Sequence, residues 1–301
     1  PPRHYTSPDE EAGTPARTAQ RRLTIGMRLR DLRRAAGLDQ TALAERLGIS
    51  QSRVSKIERG VHAPTAESLT RVADALDLSE DTRAELLDDL AQLWTEVATY
   101  RVLARQGHRA NQNRYGAMEA AAQAIRVYQP ALVPGLLQTA DYMRHMVGHL
   151  VAPGSSTAGR IEELVAGRLQ RQQILYDHAK RLEFVTTEWA LRTSIGPPPV
   201  LRGQLDRLAM LSELDHVQID VIPIGAKDPA IALTGFNVWD DVVVVEYDLG
   251  EVTLRDPSEV ARYVEMFETL RRSALRGPEM VTLVREIERD LSSGSPDRAT
   301  G

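Results

Sequence analysis

GLDQTALAERLGISQSRVSKIERG, Gly37 to Gly60, is the stretch from which the rest of the chain can be read. Its apolar residues recur at helical spacing in two short runs, and the residues between are of the kind that stop and restart a helix. Asp39 stands where an N-cap is needed, with Gln40 in the first turn, so a helix N-terminus and the Gln40 amide can both address a phosphate. Ala44 is small where two helices must cross closely. Gly48 follows the helix end, where a left-handed backbone is cheap for glycine, and Ile49 returns the chain to the core. Ser50 caps a second helix, Gln51 to Arg59, whose Val54 and Ile57 face inward. Gln51, Ser52, Arg53, Ser55 and Lys56 are left pointing outward. Major-groove reading needs this layout: the first helix crosses the backbone, and the N-terminal residues of the second meet base edges. Glutamine can bond both edge atoms of adenine, and arginine or lysine those of guanine.

The charge around this stretch agrees. The 301 residues carry a net charge of −5. From Arg21 to Pro64, however, ten Lys/Arg face four Asp/Glu, a balance of +6, and from Thr65 onward 25 face 35, a balance of −10. A local positive field on an acidic body suits a small phosphate-binding module. With 42% hydrophobic and 26% charged residues, the composition is that of an ordinary globular protein, and the length suggests about two domains. There are no cysteines, which excludes disulfides, thiolate metal sites and cysteine nucleophiles. No apolar run suits a membrane span or a signal peptide, so a cytoplasmic location is expected.

Upstream, an apolar rhythm through Ile25, Leu29, Leu32 and Ala36 predicts a helix, and the polar, Pro-punctuated residues 1–20 a disordered tail. Downstream, Pro64-Thr65 opens a helix with Leu69, Val72, Ala73 and Leu76 on one face, and Ser79 caps a longer one running toward Arg105. The expected domains are a DNA-binding domain over 21–80, a helical linker over 81–115, an α+β domain over 116–292 and a disordered tail over 293–301. In the α+β part, helices are expected over Arg114–Tyr128, Thr139–Leu150, Ala158–His178 and Pro199–Leu214. Strands are expected over Arg181–Leu191, His216–Ile224, Gly235–Trp239, Val242–Asp248 and Glu251–Arg255. Asp256-Pro257 reads as an N-cap followed by Pro at the first helical position. The whole is expected to be mainly α: an all-α domain, then an α+β domain with a small, largely antiparallel sheet.

From Ile25 to Leu78 the sequence resembles the Xre family, the phage-repressor and Cro-like helix-turn-helix regulators, whose fold is lambda repressor-like. The resemblance gives Gln40 the family's phosphate-clamping position and Gln51, Ser52 and Lys56 its base-reading positions. It also makes Arg33 and Glu58 an internal salt bridge behind the recognition helix. From about Ala121 to Leu291 the chain resembles the antitoxin-like C-terminal domain of a large Xre-type group of filamentous high-GC bacteria. The marks of that group are a PGLLQT elbow (Pro134 to Thr139), an Arg-x-x-Arg-Gln run (Arg168, Arg171, Gln172), a strand leading into Glu188 and Leu191, and Gly235-Phe236. This resemblance implies gene regulation beside a small partner protein encoded nearby. On the residues alone, Pro130, Pro134 and Gly135 make a structural elbow that packs Leu132, Val133, Leu136 and Leu137 into a core.

No catalytic constellation is found: there is no P-loop, GxGxxG or HExxH. His145 and His149 lie four apart on a helix, but no further ligands are signalled. Glu188 with Arg168 or Arg171 reads as a polar cluster in a pocket or as an ordinary buried ion pair, and the pair is the favoured reading. Trp94, Trp189 and Trp239 read as core or interface anchors. A DNA-binding regulator is therefore expected, not an enzyme, with no cofactor or metal. It should be a homodimer on a palindromic operator in double-stranded DNA. A small partner protein is expected on a face including Pro134, Gly135, Leu136, Phe236 and Trp239. The alternative is a small-molecule effector, which would need a concave pocket with a few convergent polar groups.

Overall fold

The computed structural model describes residues 14–99, 108–150, 161–227, 229–247 and 250–293. They fall into two compact units, Pro1–Glu96 and Val97–Gly301.

In the first unit, helices α1 (Thr14–Ala35), α2 (Gln40–Leu47), α3 (Gln51–Glu58), α4 (Ala66–Ala75) and α5 (Glu80–Trp94) enclose one core. That core holds Ile25, Leu29, Leu43, Ala44, Leu47, Val54, Leu69, Val72 and Leu76. The caps are local. Asp39 accepts from the Ala42 N–H, Ser50 from Arg53, Thr65 from Ser68 and Ser79 from Thr82. Gly48 ends α2 at φ 64° and ψ 34°. Helix α1 passes so close to the end of α3 that a Cβ on Gly26 would lie 2.4 Å from the Ile57 carbonyl oxygen.

Two expectations change here. Helix α1 begins at Thr14, inside the stretch read as a disordered tail, with Pro15 in its first turn. Extending a packed helix adds one bond per residue, so weakly apolar sequence can continue it. Residues 1–13 of the expected tail, and 294–301 of the other, lie outside the described residues. Helix α5, assigned from the sequence to a linker, places Leu86, Leu90 and Leu93 in this same core. Arg28 of α1 pairs with Glu85 and Asp89 of α5.

Strand β1 (Thr95–Thr99) spans the boundary between the units. The second unit continues with α6 (His108–Ala121), β2 (Ala124–Gln129), α7 (Ala140–Leu150), α8 (Ile161–Arg171), β3 (Arg181–Thr187), α9 (Glu188–Arg192), α10 (Pro198–Leu211), β4 (Val217–Ile222), β5 (Phe236–Trp239), β6 (Val242–Tyr247), β7 (Gly250–Leu254), α11 (Pro257–Arg272) and α12 (Gly277–Ser293). Six strands lying wholly within this unit hydrogen-bond in the order β7-β6-β5-β2-β3-β4. β2 pairs with β3, and β3 with β4, in parallel; β2–β5, β5–β6 and β6–β7 are antiparallel. The sheet is therefore mixed: three of its five pairings are antiparallel, as the expected sheet largely was, and the two through β3 are parallel. The helices between β2 and β3, and between β3 and β4, supply the crossovers that parallel pairing requires.

The helix expected over Arg114–Tyr128 is also corrected, because its second part is the central strand β2. Two distant residues mark the change. The buried Lys180 ammonium donates to the Ala120 and Ala122 carbonyls at 2.8 and 2.5 Å, closing the end of α6. The Asp240 carboxylate accepts from the Gln123 and Ala124 N–H groups at 2.8 Å each. The strand expected over Arg181–Leu191 stops at Thr187, whose hydroxyl caps α9. The helix expected over Ala158–His178 is α8 followed by a 3-10 turn, Gln172–Tyr176; residues 158–160 lie outside the described ones. Asp256 caps α11 as expected.

The sheet is buried on both faces. Ile125, Val127, Phe184, Ile219 and Val244 lie in one core with residues of α7, α8, α10 and α12. Tyr128, Val185, Val238 and Val243 lie in another with Val260, Phe267 and Leu270 of α11. On the α11 side a charged network crosses three strands. The Arg271 guanidinium donates to Glu183 Oε1 at 2.6 Å, Asp220 Oδ2 at 2.8 Å and Gln218 Oε1 at 2.7 Å. Arg126, opposite Glu183 in register, is 3.1 Å from Glu183 Oε2. Glu183 and Asp220 are buried, and buried carboxylates are tolerated only when paired in this way.

Candidate nucleic-acid interface

Helix α3 buries Val54 and Glu58 and exposes Gln51, Ser52, Arg53 and Lys56; Ser55 is half-buried. At 3.6 residues per turn, Gln51, Ser52, Ser55 and Lys56 share one outward face, with Arg53 on its flank. Arg59, exposed and one turn beyond Ser55, extends the same face. The sequence reading did not single it out, although its spacing from Gln51 and Ser55 marks it.

Behind this face a chain of hydrogen bonds runs from the core to the surface. Arg33 donates from Nε and Nη2 to the two oxygens of Glu58, at 2.6 and 2.9 Å. Both side chains are nearly inaccessible, 7% and 3% exposed. Gln40 Nε2 donates to Glu58 Oε2 at 2.8 Å, and Gln51 Nε2 donates to Gln40 Oε1 at 2.6 Å. A carboxylate only accepts hydrogen bonds. Glu58 therefore turns the NH2 of Gln40 inward, which turns the Gln40 oxygen toward Gln51 and leaves Gln51 Oε1 and its second N–H directed away. Burial alone raises the Glu58 carboxyl's pKa, but the bonds from Arg33 and Gln40 outweigh it and hold it below the ordinary range. The structure thus joins Arg33, Glu58, Gln40 and Gln51, while Ser52, Arg53 and Lys56 stand apart from this chain.

In the second unit, the face expected to dock a partner is corrected. Leu136, Phe236 and Trp239 are buried in the unit's own cores and Pro134 is buried as well; of the five residues only Gly135 is exposed. The elbow forms a single 3-10 turn, Gly135–Leu137, which leaves backbone carbonyls without helical partners. Buried glutamines and an arginine serve them instead. Gln138 donates to the Val133 carbonyl at 2.7 Å and Gln172 to that of Gln138 at 2.7 Å. Gln204 and Arg207 donate to the Leu137 carbonyl at 2.9 and 3.2 Å. The elbow packs Val133, Leu136 and Leu137 into the core, with Leu132 partly buried against it, as expected from the residues alone. Glu188 pairs with Arg192, not with Arg168 or Arg171, and accepts from the Ile224 N–H. Arg171 pairs with Glu119. Trp239 is a core residue, Trp189 is 64% exposed, and the Trp94 side chain lies outside what is described. Among the described residues no group of three or more His, Asp or Glu is placed to hold a metal ion, and no helix is long and apolar enough to cross a membrane.

Comparison with known proteins bears on both units. A family described as "Helix-turn-helix domain" matches residues 24–86. Over 59 residues the chain is 39% identical to the cryptic phage CTXphi transcriptional repressor RstR of Vibrio cholerae serotype O1, covering 20% of this chain and 53% of that protein. It is 41% identical over 59 residues to the uncharacterized HTH-type transcriptional regulator YazB of Bacillus subtilis, covering 20% of this chain and 86% of that one. The chain thus spans about half the length of the first relative and most of the second. The solved structure of TrmBL2, an archaeal chromatin protein, aligns over 69% of this chain and 66% of that one with a TM-score of 0.33 and 13% identity, too distant to define a shared fold. The second unit is matched over residues 112–286, more than half of the chain, by the family described as "Domain of unknown function (DUF5753)". The chain therefore carries a helix-turn-helix domain of the kind found in transcriptional regulators and, by the longer match, belongs to the DUF5753 family.

Proposed function

We propose that this chain is a sequence-specific DNA-binding transcriptional regulator that reads an operator through α3. The observation that carries this reading is the exposed face of α3, with the Gln51 amide held in one orientation by Gln40 and Glu58. Gln51 Oε1 and its free N–H match the donor and acceptor edge of adenine. Ser52, Ser55 and Lys56 extend the contact along the groove, and Arg53 and the N-terminus of α2 meet phosphates. One such helix reads only a few base pairs, so two chains act together on a palindromic operator, with half-sites about one helical turn apart or a multiple of it. Operator selected from random duplex DNA tests this. Log affinity should fall linearly with log salt, with a slope of about −0.9 per phosphate neutralised, and two chains should sediment with each operator. A salt-independent affinity, or one chain saturating an asymmetric half-site at full affinity, contradicts it.

In this reading the second unit is a receiver that modulates operator binding. An antitoxin-like role with a small partner protein is favoured by exposed apolar side chains at one end of the sheet. Trp189 follows β3, Ile224 follows β4, and Ile231 and Leu233 precede β5; all four are more than half exposed. Binding there must be reciprocal: the factor by which partner shifts operator affinity is the factor by which operator shifts partner affinity. A small-molecule effector is the other form of receiver, and a cavity in the same unit supports it.

A further inference from the structure

Along the face of the sheet that carries Val127 and Val244, the apolar rows end in polar residues. Asn237 stands opposite both Val127 and Val244 in register, and Glu246 is paired with Glu251. Gly235 has no side chain to spare here: a Cβ would lie 2.7 Å from Gln129 Oε1. Over this polar floor opens a cavity of about 350 Å³, walled by α6, the elbow, Met146 of α7 and Arg168 of α8. A void of this size lies in the range of small-ligand sites, and its walls mix apolar surface from Leu132, Leu136 and Met146 with these polar groups.

The charges in the cavity are unevenly matched. Glu119 is taken by Arg171, and Glu251 by Arg114. The Tyr115 hydroxyl sits 2.8 Å from Glu246 and 2.9 Å from Glu251. Two charges are left over among the described residues: Glu246, which meets only the Tyr115 hydroxyl, and Arg168, whose guanidinium has neither an ion pair nor a hydrogen-bond partner. Burial, and then the Arg171 charge, push its pKa below the ordinary range, against the attraction of Glu246. A guanidinium stays protonated in a protein, so a half-buried cation without an ion-pair partner among the described residues lines the cavity. Gln138, in the same wall, keeps Oε1 buried without a partner among the described residues.

We propose that this cavity binds a small organic acid, whose carboxylate pairs with Arg168, whose apolar body lies on Leu132, Leu136 and Met146, and whose hydroxyl or amine meets the amides of Gln129 and Asn237. A guanidinium fork fits a carboxylate in a bidentate pair. A phosphate dianion would bring a second negative charge toward Glu246 and Glu251, so a monoanion suits the site. The inference rests on the receiver reading only for its consequence at the operator; the binding itself is independent of it.

The full chain would be melted and titrated calorimetrically with 4-hydroxybenzoate, phenyllactate and phenylalanine, each beside its carboxamide. At least one carboxylate should bind and raise the melting temperature of the second unit by mass action, with its carboxamide weaker by about tenfold to a hundredfold. Arg168→Gln, which removes an unpaired charge, should melt no lower than the parent and lose the carboxylate preference. Equal binding of acid and amide, unchanged binding to Arg168→Gln, or no binding of any acid at millimolar concentration overturns the proposal. Titrating operator with the binding acid present then separates the two readings: an unchanged operator affinity leaves the site standing and removes the receiver role.

Discussion

Glu58→Ala is expected to lower the stability of the first unit by about 3–5 kcal/mol, the cost of removing one partner from a buried ion pair. The carboxylate lies at the centre of the unit, where Arg33 and Gln40 both end on it. Its removal leaves the Arg33 guanidinium buried with, among the described residues, only the Leu38 carbonyl to receive it. Glu58→Gln keeps the shape but replaces an acceptor by a donor facing Arg33, and should fall between alanine and the parent. The pair also sets a pH window. Folding lowers the Glu58 carboxyl's pKa, so its contribution is complete above the unfolded value of about 4.3 and is lost as the pH falls through the lower folded value. Hydrogen exchange in peptides covering residues 37–60 of the full chain reports this unit directly. Parent-like protection in Glu58→Ala would remove the pair from the account of its stability.

Arg271→Met should cost the second unit a similar amount, again about 3–5 kcal/mol. Here the cation that bridges Glu183 and Asp220 is lost while both buried carboxylates stay behind. Arg126 and Arg181 still reach Glu183, so the stranded charge is that of Asp220, which loses the ion pair that Arg271 makes with it. Neutralising that carboxylate should recover most of the loss: the double variant Arg271→Met, Asp220→Asn removes the stranded charge and leaves Glu183 paired with Arg126 and Arg181. Thermal unfolding of the three forms checks this. If the double variant is no more stable than the single one, loss of packing by the arginine stem, not stranded charge, explains the effect.

The first unit was legible because its signals are local. Asp39, Gly48, Ser50 and Thr65 each act within three or four residues, and each shows the geometry that its chemistry requires. Gly26 was not singled out, since what demands it is the Ile57 carbonyl thirty-one positions away. In the second unit the failures share that cause. The run through Tyr128 reads as helix because Lys180 and Asp240, which end α6 and start β2, are sixty and more positions distant. The parallel part of the sheet, β2-β3-β4, was not legible for a related reason: both faces of β3 and β4 are covered, which blurs the alternation that separates strands of an open sheet from buried ones. Leu136, Phe236 and Trp239 were expected at a docking face because they lie next to turns, but closeness to a turn in sequence does not expose a side chain that two helical layers cover. Arg168 was picked out by its motif, while its lack of a partner depends on Glu119 and Glu251 being taken by other arginines.

The central claim is that Gln51, oriented from the core by Glu58 through Gln40, reads a base. It is tested most directly by measuring the affinity of parent and Gln51→Ala chains for the selected operator and for its single base-pair variants. The account predicts that Gln51→Ala keeps the parent's melting temperature, loses about 1–3 kcal/mol on the operator, and no longer discriminates at one base pair per half-site. A Gln51→Ala chain that binds the operator with the parent's affinity and the parent's base preference at every position would contradict it.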